Sequence, residues 1–144
     1  VVGEGFRNYP KVFDRIHSQC AGRIEHWGYL DNRADYDRLL SRADIVLSTA
    51  LHDFQGLSML EAMAAGCLPL APDRLAYREY VPESCRYQSH EQDPDAEAEA
   101  AVSCLERMTQ RSPLPCQPEL WRASVLAGQY RSVFDELIRT KRGH

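Results

Sequence analysis

The amino-acid sequence predicts an α/β fold, a parallel sheet covered by helices, and three observations predict it. Short β-like runs alternate with helical patterns along most of the chain, the order expected when helices serve as crossovers between parallel strands. The run "DIVLSTA" at residues 44–50 has the character of a central parallel strand buried on both faces. After it, residues 57–66 read as a helix and "CLPLA" as a strand, with Gly66 between them suited to ending the helix.

The other elements follow in order. "VVGEG" opens on the end of a strand and a glycine turn. In "PKVFDRIHSQC" the residues Val12, Phe13, Ile16 and Cys20 share one helical face behind Pro10, a residue favoured in a first turn. "RIEHWGYL" reads as a strand turning at Gly28. Asp31 or Asn32 then caps "RADYDRLLSRA", whose stripe is Tyr36, Leu39, Leu40 and Ala43. A short helical piece over 74–80 precedes "CRYQS", a last strand. Asp93 caps a helix with Pro94 in its first position, acids in its first turn and Ala98, Ala101, Val102, Leu105 and Met108 on one face. Three prolines in "RSPLPCQP" break the pattern. A final amphipathic helix over 119–140 carries Trp121, Val125, Tyr130, Phe134 and Leu137. Residues 1–112 are expected to form one domain, with 113–144 a helix packing back on it as a single structural unit. The abrupt start implies more chain upstream.

Composition narrows the functions. With 44% hydrophobic and 26% charged residues the chain is globular in character, and its length suffices for a core. A net charge of -4 argues against a general phosphate-backbone binder. The basic end "RTKRGH" reads as a solvated terminus. Five cysteines, with no C-x-x-C pair, fit neither a disulfide framework nor a zinc site, and Cys67 and Cys104 read as small buried side chains. The five histidines lack metal-ligand spacing. No apolar run is long enough to span a bilayer and no signal sequence opens the chain. A reducing cytoplasm is the simplest location.

The chemistry concentrates after "DIVLSTA". In open parallel sheets ligands bind at the carboxyl ends of strands, where loops enter helices. The backbone N–H groups of Gly56, Leu57 and Ser58 are expected to face outward with the positive end of the helix dipole, a site for phosphate. Gly56 would let the ligand approach without a Cβ in the way. Glu61, one turn further in, is placed to accept hydrogen bonds from vicinal hydroxyls such as those of a ribose, and Asp53 lies on the other side of the helix start. The plain alternative makes Asp53 a loop or cap residue and Glu61 an exposed acid near a helix N-terminus. Against it, Glu61 is the single charge in "MLEAMAAG".

These residues carry a resemblance. "HDFQGLSMLEAMAAGCLPLAP" resembles the E-x7-E region of retaining GT-B glycosyltransferases, whose usual form is E-G-F-G-L-x-x-L-E-A-M-A-x-G-x-P, and the likeness covers roughly residues 1–90. "HWGYL", "GCLPLAPDRLAYREYVPE" and "RYQS" are similar, more narrowly, to the transferases that use GDP-mannose to glycosylate queuosine in tRNA. The resemblance implies the Rossmann-like C-terminal half of a GT-B enzyme, with its N-terminal strand, helix and acceptor domain outside this sequence.

Carried over by position, it implies a catalytic acid by the donor sugar at Asp53 and sugar and diphosphate contacts at Phe54, Gln55, Gly56, Leu57 and Ser58. It implies ribose contacts at Glu61 and a base-side loop at Gly28, Tyr29 and Leu30. It implies no metal and no cofactor beyond the nucleotide-sugar donor, GDP-mannose, and a tRNA partner reached through the missing domain. Lipid or polysaccharide acceptors, and a non-catalytic binding module, remain alternatives. Asp53 departs from the usual Glu, and Gln55 stands where Gly or Phe is commoner. The diphosphate-binding Arg and Lys would lie upstream, so this piece alone is expected to bind nucleotide weakly and not to turn over.

Smaller features have plainer readings. "GEGF" lacks the third glycine of a dinucleotide fingerprint. His52 reads as a positioning or structural residue, Trp27 and Tyr29 as core aromatics rather than a base-stacking pair, and Met59 and Met63 as helix packing.

Overall fold

The computed structural model describes residues 1–3, 10–110 and 117–142. The turn expected at Glu4 and Gly5, most of the proline break and the last two residues of the basic end lie outside the described residues. The chain divides into two compact units, Val1–Leu39 and Leu40–His144.

In the first unit, α1 spans Lys11–Cys20 and α2 begins at Arg33, running to Leu40 at the boundary. Asn32 is the cap: its Oδ1 accepts from the Ala34 N–H at 2.9 Å and its carbonyl from the Tyr36 N–H at 3.2 Å. The strand expected over 23–30 is not formed. Gly28 makes a single parallel bridge with Val2, because its φ of +106° turns the backbone out of the extended conformation a ladder requires. Trp27 packs edge-on against Phe13 and His17, with ring centroids 5.9 and 5.2 Å away, while Tyr29 is exposed. Of the aromatic pair, only Trp27 serves as packing. The apolar stripe of α1 is largely exposed, and none of its residues is buried.

The second unit contains β1 (Ile45–Leu47), α3 (Leu57–Ala64), β2 (Leu68–Pro72), α4 (Tyr77–Tyr80), β3 (Arg86–Tyr87), α5 (Pro94–Gln110) and α6 (Ala123–Arg142). The strands form a parallel sheet in the order β1-β2-β3. This α/β sheet is the expected class, with one correction. The central strand is β2, and β1 is an edge of the described sheet, half-buried where burial on both faces was expected.

Two prolines in a central strand need an account, since proline donates no ladder bond. Residues 68 and 70 turn their polar groups to β1, where the Leu68 N–H donates to Asp44 and the Ser48 N–H to Leu70. Pro69 therefore faces the β3 side, ahead of the point where β3 begins opposite Ala71. Pro72 faces the β1 side, beyond Leu47 opposite Leu70. Pro69 sits where no bond is owed, and at Pro72 the Ser48 carbonyl takes the Tyr87 hydroxyl at 2.7 Å in place of a backbone donor.

The core is built from Met59 and Met63 of α3, Leu70 and Ala71 of β2, Tyr77, Val81, Cys85 and Tyr87, closed by Cys104 and Met108 of α5. Burial pushes the Cys67, Cys85 and Cys104 thiols up from their ordinary range, so these are packing residues as expected of Cys67 and Cys104. Gly66, at φ +107°, ends the helical segment. The core face of α5 is rotated about one residue from expectation: Cys104 and Met108 are buried with Ala100 and Ala101 against them, while Val102 and Leu105 are exposed. Glu97 accounts for the rotation, because its carboxylate is bonded inward to the Arg74 side chain. On α6, Tyr130, Phe134 and Leu137 are exposed, and Trp121 ahead of it meets Tyr80 edge-on at 5.7 Å. Among the described residues no helix is long and apolar enough to cross a membrane.

Candidate functional site

Residues 48–56 leave the carboxyl end of β1 and enter α3. Four hydrogen bonds in series shape this loop. The Ala50 N–H donates to Ser48 Oγ at 3.2 Å, and Ser48 Oγ lies 2.7 Å from the Tyr77 hydroxyl. Tyr77 donates its one proton to Asp53 Oδ2 at 2.7 Å, so Ser48 is the donor to Tyr77. The Gly56 N–H closes the series on Asp53 Oδ1 at 2.7 Å. Bonds to an ionised acceptor are the strong members of such a chain.

The start of the loop is held separately. Arg74, 4% exposed, donates from Nε to the Ala50 carbonyl at 3.0 Å and from Nη1 to Ser89 Oγ at 2.8 Å. It pairs bidentately with Glu97, Nη1 to Oε2 at 2.7 Å and Nη2 to Oε1 at 2.9 Å. The His90 N–H adds a third bond to Glu97. The guanidinium beside it holds the Glu97 carboxyl below the usual carboxylate range. Neither Arg74 nor Glu97 is legible as a site residue in the sequence, where one follows a strand and the other is one acid among several in a helix's first turn. The available signal was "PDR" directly after an apolar strand, a charge entering a buried region.

The expected site residues fall as follows. Phe54 and Gln55 are exposed at the loop tip. Gly56 is the N-cap of α3 in the left-handed conformation, φ 63° and ψ 43°. Its N–H is not free for a ligand, contrary to expectation, because Asp53 occupies it. Its missing Cβ also has an internal cause: a Cβ there would fall on the Tyr80 hydroxyl and lie 3.1 Å from Tyr77 Cε1. The N–H groups of Leu57 and Ser58 have no acceptor among the described residues, as a helix start without a side-chain cap leaves them. Glu61 is half-buried on α3, one turn beyond Leu57. Gly28, Tyr29 and Leu30 belong to the first unit and Asp53 to Glu61 to the second. His52 is exposed. Thr49, Leu51, Tyr87, His90 and Ala98 line an open pocket of about 280 Å³ beside the same strand ends.

A parallel sheet with an uncapped helix start at its carboxyl edge agrees with what sequence comparison finds. The profile of the family Glycosyl transferases group 1 matches residues 1–107. The chain belongs to this family. It is also 37% identical over 89 residues to the tRNA-queuosine alpha-mannosyltransferase of Drosophila melanogaster, a stretch amounting to 62% of this chain and 23% of that protein. The chain thus spans about a quarter of the length of that relative.

For a group 1 glycosyl transferase the geometry separates two kinds of residue. Leu57 and Ser58 carry the helix-start amides that have no acceptor among the described residues, with Glu61 one turn further on. Asp53, Tyr77 and Ser48 bond to one another and to the backbone beneath this helix start.

Titration offers a check on this buried layer. Burial pushes both the Tyr77 and Tyr87 hydroxyls up to about 12. Tyrosines raised in the fold above their unfolded value of about 10 contribute stability that is complete below that pH and is lost as pH rises toward about 12. Phenolate absorbance from these two tyrosines is expected to appear together with loss of far-ultraviolet circular dichroism. Ionisation of every tyrosine with the native spectrum intact would show that they are not protected.

Proposed function

We propose that this chain is the donor-binding part of a retaining glycosyltransferase, one that transfers mannose from GDP-mannose to queuosine in tRNA. The observation that carries the reading is the start of α3, where the Leu57 and Ser58 amides have no acceptor among the described residues and Glu61 follows one turn later. The amides and the helix dipole take the diphosphate, and Glu61 takes the ribose hydroxyls. Phe54 and Gln55 border the sugar. The choice of mannose and queuosine rests on the similarity to the Drosophila melanogaster mannosyltransferase.

In this reading transfer proceeds with retention. The acceptor approaches on the face from which the diphosphate leaves, and a diphosphate oxygen takes its proton. The amides stabilise charge as it develops on the leaving group. Cationic side chains and the acceptor site are assigned to segments outside these 144 residues, and the cytoplasm is the proposed location.

Isothermal titration tests the donor site. Glu61→Ala is expected to weaken GDP binding by about 1–3 kcal/mol, the scale for hydrogen bonds lost from a charged group, with the fold unchanged. Equal affinity for GDP in both proteins would remove Glu61 from the ribose site. The acceptor is tested by incubating the full-length protein with GDP-mannose and queuosine-containing tRNA(Asp), and an unmodified tRNA would refute it. A second reading, a nucleotide-sugar-binding module without turnover, is favoured by Asp53, which stands where the motif carries Glu and is bonded within the chain. Binding of GDP-mannose without transfer to any acceptor would support it.

A further inference from the structure

Asp53 occupies the place of the acid beside the donor sugar, yet both its oxygens are engaged inside the protein. To reach a sugar it would have to leave the Gly56 N–H and the Tyr77 hydroxyl, each 2.7 Å away. Tyr77 is 1% exposed and cannot follow it outward.

Gly56 is enclosed on every side that matters. Its N–H is bonded to Asp53. The face of its Cα is covered by the Tyr80 and Tyr77 rings, which themselves meet edge-on at 6.0 Å. Its carbonyl accepts from the Tyr80 hydroxyl at 3.4 Å and from the Leu60 N–H at 3.0 Å. The left-handed turn at Gly56 sets where the next two amides point, and those amides, of Leu57 and Ser58, are the ones without an acceptor among the described residues.

We infer that Asp53 is a positioning residue, and that Tyr77, with Ser48 behind it, completes a latch fixing the turn from which the diphosphate-binding amides project. The inference rests on the donor-site reading above and assigns Tyr77 a part in it. A latch of this kind acts on every nucleotide diphosphate alike, whether or not a sugar is attached. An acid touching the sugar acts on the sugar nucleotide alone.

The test compares GDP with GDP-mannose in the intact protein carrying Asp53→Ala, Tyr77→Phe or both. Each single variant is expected to weaken GDP and GDP-mannose equally, by about tenfold, the scale of one lost charge-assisted hydrogen bond. The double variant should lose little more than the worse single one, because both changes open the same latch. Amide exchange in the ligand-free protein is the second measurement. Tyr77→Phe keeps the buried ring and should speed exchange at Gly56 while β2 and α5 exchange as in the wild type. Loss of GDP-mannose affinity with GDP affinity intact in Asp53→Ala would overturn the inference, as would an unaltered Gly56 exchange rate in Tyr77→Phe. Wild-type protein that binds neither nucleotide would refute the donor-site reading instead, and Gly56 exchange would still decide the latch.

Discussion

Glu97→Ala is expected to cost about 3–5 kcal/mol of unfolding free energy, the usual result of removing one partner from a buried ion pair. The loss is large against the ~5–15 kcal/mol total of a typical domain. The variant leaves the Arg74 guanidinium, 4% exposed, facing Ser89 and backbone carbonyls without its bonded carboxylate. Urea unfolding followed by circular dichroism measures the effect. Replacing both partners, as Arg74→Met with Glu97→Leu, should recover much of it, since no charge then remains buried. The Ala50 carbonyl loses its donor in the double variant, so recovery should be partial. A single variant within about 0.5 kcal/mol of wild type, the range of ordinary surface changes, would refute the buried pair. The pH dependence has a definite sign. The Glu97 pKa is held low by Arg74, so the pair contributes fully at neutral pH and its contribution is lost as pH falls through and below the ordinary carboxylate range.

Gly56→Ala should act at the other end of the same loop. Two costs combine: a left-handed backbone at a residue with a Cβ, about 1–2 kcal/mol, and displacement of Tyr80 from a filled position, about 1–3 kcal/mol. They can be separated. Tyr80→Phe removes the hydroxyl on which the new Cβ would fall, so Gly56→Ala in a Tyr80→Phe background should cost less than in the wild type, leaving mainly the backbone term. Equal costs in the two backgrounds would show that Tyr80 does not enforce the glycine. If the helix start is the donor site, Gly56→Ala also weakens GDP binding, because it disturbs the turn before the Leu57 and Ser58 amides.

Gly56 shows where sequence reading and structure part company. Read along the chain, a glycine between a loop and a helix signals room for a ligand. Folded, the same position is filled by tyrosines 21 and 24 residues later, Tyr77 and Tyr80. No local pattern carries that information. Nor does one distinguish Glu97 from the other acids of α5, because the partner that turns it inward lies 23 residues away.

By itself the sequence determined the class of fold, the placement of α3, β2 and α5, the buried cysteines and methionines, and the family. These follow from local periodicity, capping residues and a contiguous motif, all written within a few turns of chain. Only the tertiary structure decided that β2 rather than β1 is central, that 23–30 forms no strand, that α5 turns Glu97 inward, and that Asp53 is tied to Tyr77. The first two depend on which segments pair along the sheet and on the backbone turn at Gly28; the last two depend on which distant side chain reaches a buried polar group, which must find a partner wherever the fold supplies one.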